Sequence, residues 1–446
     1  MHPRPGPQES AVQALQQPQH TLVAGGKAQR AQQRDCAPHR CESGGPGQHP
    51  PILLGVEPLQ SRPPVNRTGR LAISKIDERD LTAPVEPAHQ SDLAAAQRTL
   101  SIVKHPQHCH VRHMGTPETV SQPVQREGGM EVAIIGAGIA GLACAARLIA
   151  GGCGVRLFDK GRGPGGRMAT RRIELAGATA TFDHGAQYFT ARDPRFAAVV
   201  ARWAEAGLAA RWPAAGPDAW VGTPGMNAPL RALTQSCCVA WNRRVERLER
   251  GDRWRIHGTD TASLDAPFDA RFDAIVVAVP AEQAAALLEV LAPTLAARAA
   301  AVPSLPCWTM LAAFGERLSI GPDIVRGSDW AALGWAARDN AKPGRAPGER
   351  WVIQAGAEWS RRHLEEDARR VAQRLLKALT EHAGAMPEPL HLTAHRWRYA
   401  RTTATGPAVL WDPSARLGLC GDWCRGARVE DAWLSGDTLA AAILRE

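Results

Sequence analysis

The first 129 residues contain no aromatic side chain, because all 14 Trp, 7 Phe and 2 Tyr of the 446-residue chain come later. The same stretch holds 16 of the 34 prolines and 9 of the 15 histidines. A segment with so few large apolar side chains cannot bury enough surface to offset its conformational entropy. We therefore predict that residues 1–129 form a disordered extension and that residues 130–446 fold.

Long apolar runs, basic blocks and regular cysteine spacing are also missing. No stretch has the roughly 18 consecutive apolar residues of a membrane span, and the N-terminus has no apolar core of a secretory signal. The net charge is +9, but bases and acids are interspersed, so nucleic-acid binding is not indicated. The ten cysteines show neither a disulfide framework nor zinc-site spacing. We expect a cytoplasmic protein with reduced thiols and no metal, membrane or nucleic-acid partner.

The most informative motif is a glycine pattern, Gly-Ala-Gly-Ile-Ala-Gly over residues 136–141. An apolar segment (132–135) precedes it and a helical run (142–150) follows it. A second apolar segment (155–158) then ends at Asp159. Strand, glycine turn, helix and a later acid, in this order, are typical of a dinucleotide-binding unit in a parallel α/β sheet.

Each position of this unit has a predicted role. Gly136 permits the tight turn, Gly138 lets the backbone approach a pyrophosphate, and Gly141 lets the helix pack closely on the strand. The helix N-terminus supplies amide donors and a positive dipole to the phosphates. Asp159 can accept hydrogen bonds from the ribose hydroxyls of an adenosine. The remaining predicted contacts of the unit are Ala140 and Lys160.

Two further motifs follow the acid: Gly-Gly-Arg-Met at 165–168 and Asp-His-Gly-Ala-Gln-Tyr-Phe at 183–189. With them the sequence resembles the flavin-containing amine oxidase superfamily, in which Gly-Gly-Arg follows the acid of the second strand. The resemblance implies that the nucleotide is non-covalent FAD. The FAD contacts that it implies in this sequence are Arg167, Met168, Gly185, Ala186 and Gln187.

Later segments extend this resemblance to the C-terminus. Residues 244–248 and 254–256 predict a hairpin that leads to an apolar strand at 272–279, and the superfamily residue matching Val245 contacts the adenine. A short strand at 417–420 leads into Gly421-Asp422, and a helix is predicted from Val429 to residue 444. An acid at such a strand end can hold a ribityl hydroxyl, and the helix N-terminus can face the flavin ring. Gly421, Asp422 and Val429 are therefore predicted cofactor contacts.

The remaining residues predict a second, substrate-binding domain. Segments 308–314 and 351–355 are predicted strands. A helix is predicted from a Ser360 cap, with its apolar stripe at Leu364, Ala368, Val371, Leu375 and Leu379. A sheet covered by this helix would roof the flavin. The predicted substrate-pocket residues are Gln187, Trp335, Asn340, Trp397 and Tyr399.

The predicted fold class is α/β, with an interleaved α+β domain. Residues 130–190, 230–300 and 405–446 form a Rossmann-like FAD-binding domain, in which helices flank a parallel sheet. Residues 191–229 and 301–404 form the substrate domain.

Two flavoenzyme classes are disfavoured by what the folded part lacks. A disulfide reductase needs a redox-active cysteine pair and a separate nicotinamide domain, and no second strand–glycine–helix unit is present. A true amine oxidase usually has an aromatic cage over the flavin and a lysine bridged by water to the flavin N5 atom. Residues 130–446 contain two Tyr and three Lys. Only Lys342 is a candidate for that lysine, and we do not assign it.

Over essentially all of 130–446 the sequence resembles the renalase-like family within the same superfamily, through the two motifs above and Cys-Gly-Asp-Trp-Cys at 420–424. The resemblance implies hydride transfer from a small substrate, an isomeric dihydronicotinamide nucleotide, to flavin N5. Oxygen then reoxidises the flavin and gives hydrogen peroxide. Because the cofactor carries this chemistry, no residue is assigned as catalytic.

Two alternatives to this function stay open. One is another amine oxidase or a desaturase of the superfamily, and the other is a flavin-binding sensor without turnover. The oligomeric state is not predicted.

Met130 stands directly before the first predicted strand, and residues 126–129 could be encoded by purine-rich codons that resemble a bacterial ribosome-binding site. We therefore hypothesise that translation starts at Met130 and that residues 1–129 are not part of the native protein. Intact-mass analysis of protein from its native source checks this hypothesis, and a mass that includes residues 1–129 would contradict it.

Overall fold

The structure is a computed structural model that describes residues 129–175, 177–262, 267–404 and 408–446. The predicted disordered extension lies outside these residues, except for its last residue. Within the described ranges, no helix is both long enough and apolar enough to cross a membrane.

The α-helices of the described residues are α1 Ile139–Ala150, α2 Pro194–Glu205, α3 Ala228–Thr234, α4 Ala281–Leu288, α5 Pro293–Ala300, α6 Ala357–Arg362, α7 Ala368–Ala383 and α8 Val429–Ile443. Short 3-10 turns occur at Gly166–Met168, Pro213–Ala215, Asp339–Ala341 and Asp422–Cys424. The strands are β1 Glu131–Ile135, β2 Gly154–Phe158, β3 Thr170–Leu175, β4 Ala178–Asp183, β5 Ala209–Arg211, β6 Trp220–Gly222, β7 Cys238–Ala240, β8 Arg243–Arg250, β9 Trp254–Asp260, β10 Pro267–Phe272, β11 Ala274–Val277, β12 Ser304–Phe314, β13 Ile324–Arg326, β14 Trp335–Arg338, β15 Glu349–Gln354, β16 His391–Thr402, β17 Leu410–Asp412 and β18 Leu417–Leu419.

A six-stranded sheet in the order β17-β18-β11-β1-β2-β7 carries the glycine motif. Its neighbouring strands are parallel, except for the antiparallel pair β17 and β18. Val132 and Ile134 of β1 pack into a core with α1 and α8, whereas Ala133 and Ile135 pack into a core on the other face. Burial on both faces explains why β1 is apolar at successive positions. Because the strands are parallel, the loops that follow β1, β2, β11 and β18 meet at one edge of the sheet.

An antiparallel sheet of five strands, in the order β13-β14-β15-β12-β16, forms the second large layer. Trp308, Met310 and Ala312 of β12 lie on one face and pack in a core with α7. The alternate residue Leu311 lies on the opposite face, in contact with Phe182 of β4. The sheet therefore has one face covered by α7 and one face directed toward the β3–β4 hairpin.

The predicted Rossmann-like α/β fold is confirmed, and so are several of its elements. The strand–turn–helix unit is β1 and α1, and the predicted hairpin is β8 and β9, which pair with Leu248 opposite Ile256. The predicted C-terminal strand and helix are β18 and α8. The domain boundaries proposed from the sequence stay a prediction.

Two predicted elements were wrong in detail. The helix predicted from Ser360 is divided into α6 and α7, and Asp367 caps α7 by accepting from the backbone N–H groups of Arg369 and Arg370. Ser360 lies inside α6, where its buried hydroxyl accepts from the backbone N–H of Trp308 at 3.0 Å. A buried partner for a serine cannot be recognised from local spacing. The strand predicted at 272–279 is also divided, since β10 ends at residue 272 and β11 covers 274–277.

The packing of α8 on α1 depends on a helical glycine. A Cβ atom at Gly436 would lie 2.0 Å from the carbonyl oxygen of Ala140. Because the contact is with backbone, we expect Gly436→Ala to lower the free energy of unfolding by about 1–3 kcal/mol through overpacking. Urea denaturation checks this effect. Gly163→Ala is the control, since a Cβ there would have nothing within 4 Å, and equal losses in both variants would contradict the prediction.

Candidate active site

The glycine motif forms a tight turn below an open space. Gly136 has a φ of +107°, and a Cβ there would lie 2.5 Å from the carbonyl oxygen of Ala278. A Cβ at Gly141 would lie 2.0 Å from the carbonyl oxygen of Gly136. By contrast, a Cβ at Gly138 would have nothing within 4 Å. Gly138 is the N-cap residue of α1, whose first turn has neither an acid nor a side-chain cap. These features leave room and amide donors for a phosphate group.

Asp159 organises the loop after β2. Its Oδ2 accepts from the backbone N–H of Ala137, and its Oδ1 accepts from the backbone N–H of Gly161, both at 2.7 Å. Its carbonyl oxygen accepts from the backbone N–H of Arg243 at 2.8 Å. That contact places the start of β8, and with it Val245, beside the glycine turn. Lys160 donates to the side-chain oxygen of Gln283 at 3.2 Å.

Arg167 and Asp422 form a two-bond ion pair across 255 residues of chain, with N–O distances of 2.5 and 2.7 Å. The carbonyl oxygen of Arg167 also accepts from the backbone N–H of Ala186 at 2.8 Å. A Cβ at Gly185 would lie 2.0 Å from the same oxygen, so only glycine permits this approach. The pair therefore joins three separate stretches of the chain at one edge of the sheet.

The C-terminal part of the site is anchored on α8. The backbone N–H of Gly421 donates to the Ser435 hydroxyl at 3.1 Å. Val429 is the first residue of α8, and Met168 is buried in the core that contains this helix. The structure thus brings most of the predicted cofactor residues to the same edge of the parallel sheet. Their roles as contacts stay a prediction.

The face of the five-stranded sheet opposite α7 meets the segment 183–187. Across the strands, Trp335 lies opposite Gln354, Gln354 opposite Thr309, and Thr309 opposite His395. Side chains of directly paired residues share a face, and Trp397, which lies opposite Cys307, follows His395 at the alternation of a strand. Two of the predicted pocket residues, Trp335 and Trp397, are therefore on one face. Tyr399 lies where the register between β12 and β16 shifts, and its pocket role stays a prediction.

Two residues of this face donate to carbonyl oxygens of the Asp-His-Gly motif. The side-chain amide of Gln354 donates to the carbonyl oxygen of Gly185 at 2.7 Å, and the indole of Trp397 donates to that of His184 at 2.8 Å. The sheet face and the Gly-Ala-Gln segment therefore lie in direct contact.

Trp335 presents an unused hydrogen-bond donor. Its ring lies 5.7 Å from the Tyr188 ring, and the Arg326 guanidinium lies over it at 4.4 Å from the centroid. Its indole Nε1 is buried and has no partner among the described residues. An unpaired buried N–H is costly, so this group is a candidate to bind a ligand oxygen.

The other two predicted pocket residues have internal partners. The side-chain amide of Gln187 donates to the carbonyl oxygens of Asp183 and Gly185 and accepts from Lys342. Asn340 accepts from the backbone N–H of Arg350 at 2.9 Å. Both side chains therefore fix backbone, and a pocket role for them stays a prediction.

Sequence reasoning missed two histidines on the same side of the molecule. His184 packs at 5.1 Å from His395 and at 5.1 Å from Trp397, measured between ring centroids. Its Nδ1–H donates to the carbonyl oxygen of Ala169 at 3.0 Å, because a carbonyl oxygen can only accept. Burial, together with the nearby His395 and Arg171, lowers the pKa of His184 to about 4. His184 is therefore neutral at neutral pH. The alternation His395, Trp397, Tyr399 was the signal that could have revealed the second histidine.

Lys342 is fully committed to internal partners. Its ammonium donates to Asp339 at 2.7 Å, to Gln187 at 3.1 Å and to Asp183 at 3.3 Å, and its side chain is completely buried. These contacts use all three of its N–H groups. The structure therefore gives no support for a water-bridged role of this lysine.

Comparison with known proteins agrees with this geometry. Residues 211–444 match the sequence profile of the flavin containing amine oxidoreductase family, and residues 134–203 match an NAD(P)-binding Rossmann-like domain. The chain belongs to the flavin-containing amine oxidoreductase family. It is therefore a flavin-dependent oxidoreductase, and the family together with the Rossmann-like domain identifies FAD as its cofactor.

Two solved structures share this fold at low sequence identity. One is a protein assigned as a protoporphyrinogen oxidase from Exiguobacterium sp. 255-15, with 13% identity and a TM-score of 0.54. The other is a putrescine oxidase bound to putrescine, with 13% identity and a TM-score of 0.50. Each match covers 71% of this chain and 99% of the other chain. At this identity the two structures share the fold alone, and neither defines the substrate.

The His184 side chain makes the stability of the protein depend on pH. The folded pKa of about 4 lies below the ordinary value of 6.5, so the folded state binds fewer protons between these values. The free energy of unfolding therefore keeps the full contribution of neutral His184 above pH 6.5, and this contribution is lost as the pH falls through 4. We expect this loss to be about 3 kcal/mol in wild type and absent in His184→Gln.

Urea denaturation at a series of pH values measures this effect. An unchanged slope in His184→Gln would contradict the assignment.

Proposed function

We propose that the protein is a renalase-like oxidase, which takes a hydride from an isomeric dihydronicotinamide nucleotide and passes the electrons to oxygen to give hydrogen peroxide. The proposal rests on the character of the substrate face. This face presents Trp335 and Trp397 beside the neutral imidazole of His184, and it carries arginines at its margin.

The residues of the glycine turn fit FAD. The open space above Gly138 and the uncapped N-terminus of α1 suit a pyrophosphate, and the close contacts of Gly136 and Gly141 keep the turn compact. Asp159 would hold the adenosine ribose, and the backbone at Val245 would meet the adenine. We place the flavin beside the Arg167–Asp422 pair, the segment 185–187 and the N-terminus of α8. None of these contacts needs a covalent bond to the cofactor.

Three arginines border the substrate face. Arg326 lies over Trp335, and Arg171 adds to the effect of burial in lowering the pKa of both His184 and His395. Arg401, opposite Leu305 of β12, lies near the thiol of Cys307 and is paired with Asp329 at 3.9 Å. The positive charge of Arg171 and Arg326 attracts an anionic substrate and repels a protonated amine. A nucleotide fits both features, because its flat, uncharged ring can pack on the tryptophans and its phosphates can pair with the arginines.

In this reaction the main role of the protein is to position the substrate ring against the flavin. FAD supplies the two-electron acceptor of the reaction when it is bound. Oxidation of a dihydropyridine ring releases a hydride and no additional proton, so no base is required. The sheet face holds the ring, the indole N–H of Trp335 can donate to a ring substituent, and the neutral His184 adds no charge that would oppose the cationic product.

An anaerobic titration of the purified FAD-loaded protein tests the substrate. We expect rapid loss of flavin absorbance with dihydronicotinamide isomers and slow or no loss with ordinary NADH or with amines such as putrescine. Reduction by an amine alone would replace the proposal with an amine oxidase. Flavin reduction by none of these compounds, with no oxygen consumption, would favour a non-catalytic flavin protein.

The placement of FAD on the glycine turn has a separate test. Because a Cβ at Gly138 meets no atom within 4 Å, Gly138→Val should fold normally but obstruct the phosphate position. We expect the flavin content of the purified protein to fall at least about tenfold, while the midpoint of unfolding of the flavin-free protein is unchanged. Gly163→Val is the control and should retain flavin. A Gly138→Val protein with full flavin content would rule out this placement.

A further inference from the structure

A group of fully buried ionisable side chains lies behind the Asp-His-Gly motif. We call Asp183, Asp339, Lys342 and Arg345, whose side chains are all completely buried, the buried charge cluster. Lys342 lies between the two carboxylates, at 2.7 Å from Asp339 and 3.3 Å from Asp183. Arg345 pairs with the same oxygen of Asp183 as Lys342 does. The cluster joins β4 to the turn that follows β14.

The cluster is bonded directly to the segment that we place beside the flavin. Lys342 donates to Gln187 at 3.1 Å, and Gln187 in turn donates to the carbonyl oxygens of Asp183 and Gly185. From the other side, Gln354 donates to the carbonyl oxygen of Gly185. A change of charge at Lys342 is therefore transmitted to this backbone through one side chain.

The cations around Asp183 and Asp339 outnumber these two carboxylates. Arg350 is also buried, and it interacts electrostatically with Asp339, Arg345 and Glu349. Glu349 is itself paired with Arg338 at 3.1 Å, and that arginine has a further partner in Asp323. Arg338 thus faces two carboxylates, whereas Lys342, Arg345 and Arg350 face the two carboxylates of Asp183 and Asp339. The eight groups balance overall, and the positive excess is local to Asp183 and Asp339.

The two carboxylates differ in their ability to balance this charge. Asp183 accepts from Thr170 and from the backbone N–H of Met226, in addition to its two cations. Burial alone would raise its pKa, but Lys342, Arg345 and the N–H of Met226 together lower it to about 2. Asp339 has one oxygen with no partner among the described residues, and burial raises its pKa. The charge of Asp339 is therefore the easier one to lose, which increases the positive excess.

A buried positive charge that no carboxylate balances raises the free energy of the protein, and a negative charge placed nearby lowers it again. Transfer of a hydride from the substrate brings two electrons and one proton to the cofactor, which thereby gains one negative charge. We propose that the buried charge cluster stabilises this negative charge through the segment 183–187 and so raises the reduction potential of the bound FAD. The proposal rests on the proposed function only for the placement of that segment beside the flavin. Lys342 and Arg345 are in this sense positioning residues that act through Gln187 and Asp183.

The test compares two buried cations of the same layer. Lys342→Gln removes one charge from the cluster but keeps a polar group beside Asp339 and Gln187. Arg338→Gln removes one equally buried charge from the neighbouring ion pair, which makes no bond to the segment 183–187. The measurements are the midpoint potential of the bound FAD, by equilibration with a reference dye, and the free energy of unfolding of the flavin-free proteins.

We expect both variants to be destabilised, whereas only Lys342→Gln changes the flavin. Its equilibrium constant for two-electron reduction should fall about tenfold, which corresponds to about 30 mV for a two-electron couple. Lys342→Arg, which keeps the charge, should restore the potential. Arg345→Gln removes a charge from the same cluster and should show the same fall if Lys342→Gln does not fold.

Equal potentials in wild type and Lys342→Gln, or equal shifts in Lys342→Gln and Arg338→Gln, would overturn the inference and leave the cluster a purely structural one. A wild-type chain that does not hold FAD would instead overturn the proposed function, and this inference with it. A wild-type chain that holds FAD but reacts with a different substrate would leave the inference intact, since the potential is measured without substrate.

Discussion

The carboxylate of Asp183 connects the two halves of the molecule. On one side it accepts from Thr170 of the β3–β4 hairpin and from the backbone at Met226, just before α3. On the other side it meets Lys342 and Arg345, which belong to the turn between β14 and β15 of the five-stranded sheet. Because Asp183, Lys342 and Arg345 are buried, the loss of Asp183 would leave Arg345 without a carboxylate and Lys342 with Asp339 alone. Together with the bonds from Gln354 to Gly185 and from Trp397 to His184, this side chain holds the five-stranded sheet against the β3–β4 hairpin.

Two regions surround that point: the glycine turn with its neighbouring loops, where we place the nucleotide, and the face of the five-stranded sheet, where we propose that the substrate binds. The first combines glycines that allow close backbone approach with polar anchors, Asp159 and the Arg167–Asp422 pair. The second presents large side chains of β14 and β16, among them Trp335 and Trp397. This division is consistent with a shared fold at 13% identity, and it explains why the family does not define the substrate.

The sequence predicted the features that depend on local pattern. The glycine motif, the acid at Asp159 and the C-terminal strand and helix are each encoded within a few neighbouring residues, and all lie where they were expected. Features that depend on distant partners were not predictable in this way. Ser360 has the residue type of a helix cap, yet its partner is the backbone of Trp308, 52 residues away. Gln187 was predicted to face a ligand, and only the structure shows that Lys342 occupies its oxygen.

The order of the strands in the parallel sheet has a consequence for how the protein is made. β1 pairs with β11, and β11 pairs with β18, so the first strand of the sheet is joined to a strand near the end of the chain. Asp422, which pairs with Arg167, follows that last strand. During synthesis the earlier segments must wait, with the edge of β11 exposed, until the C-terminal residues leave the ribosome. A cofactor site that includes the Arg167–Asp422 pair is therefore complete only after residue 422 has been synthesised.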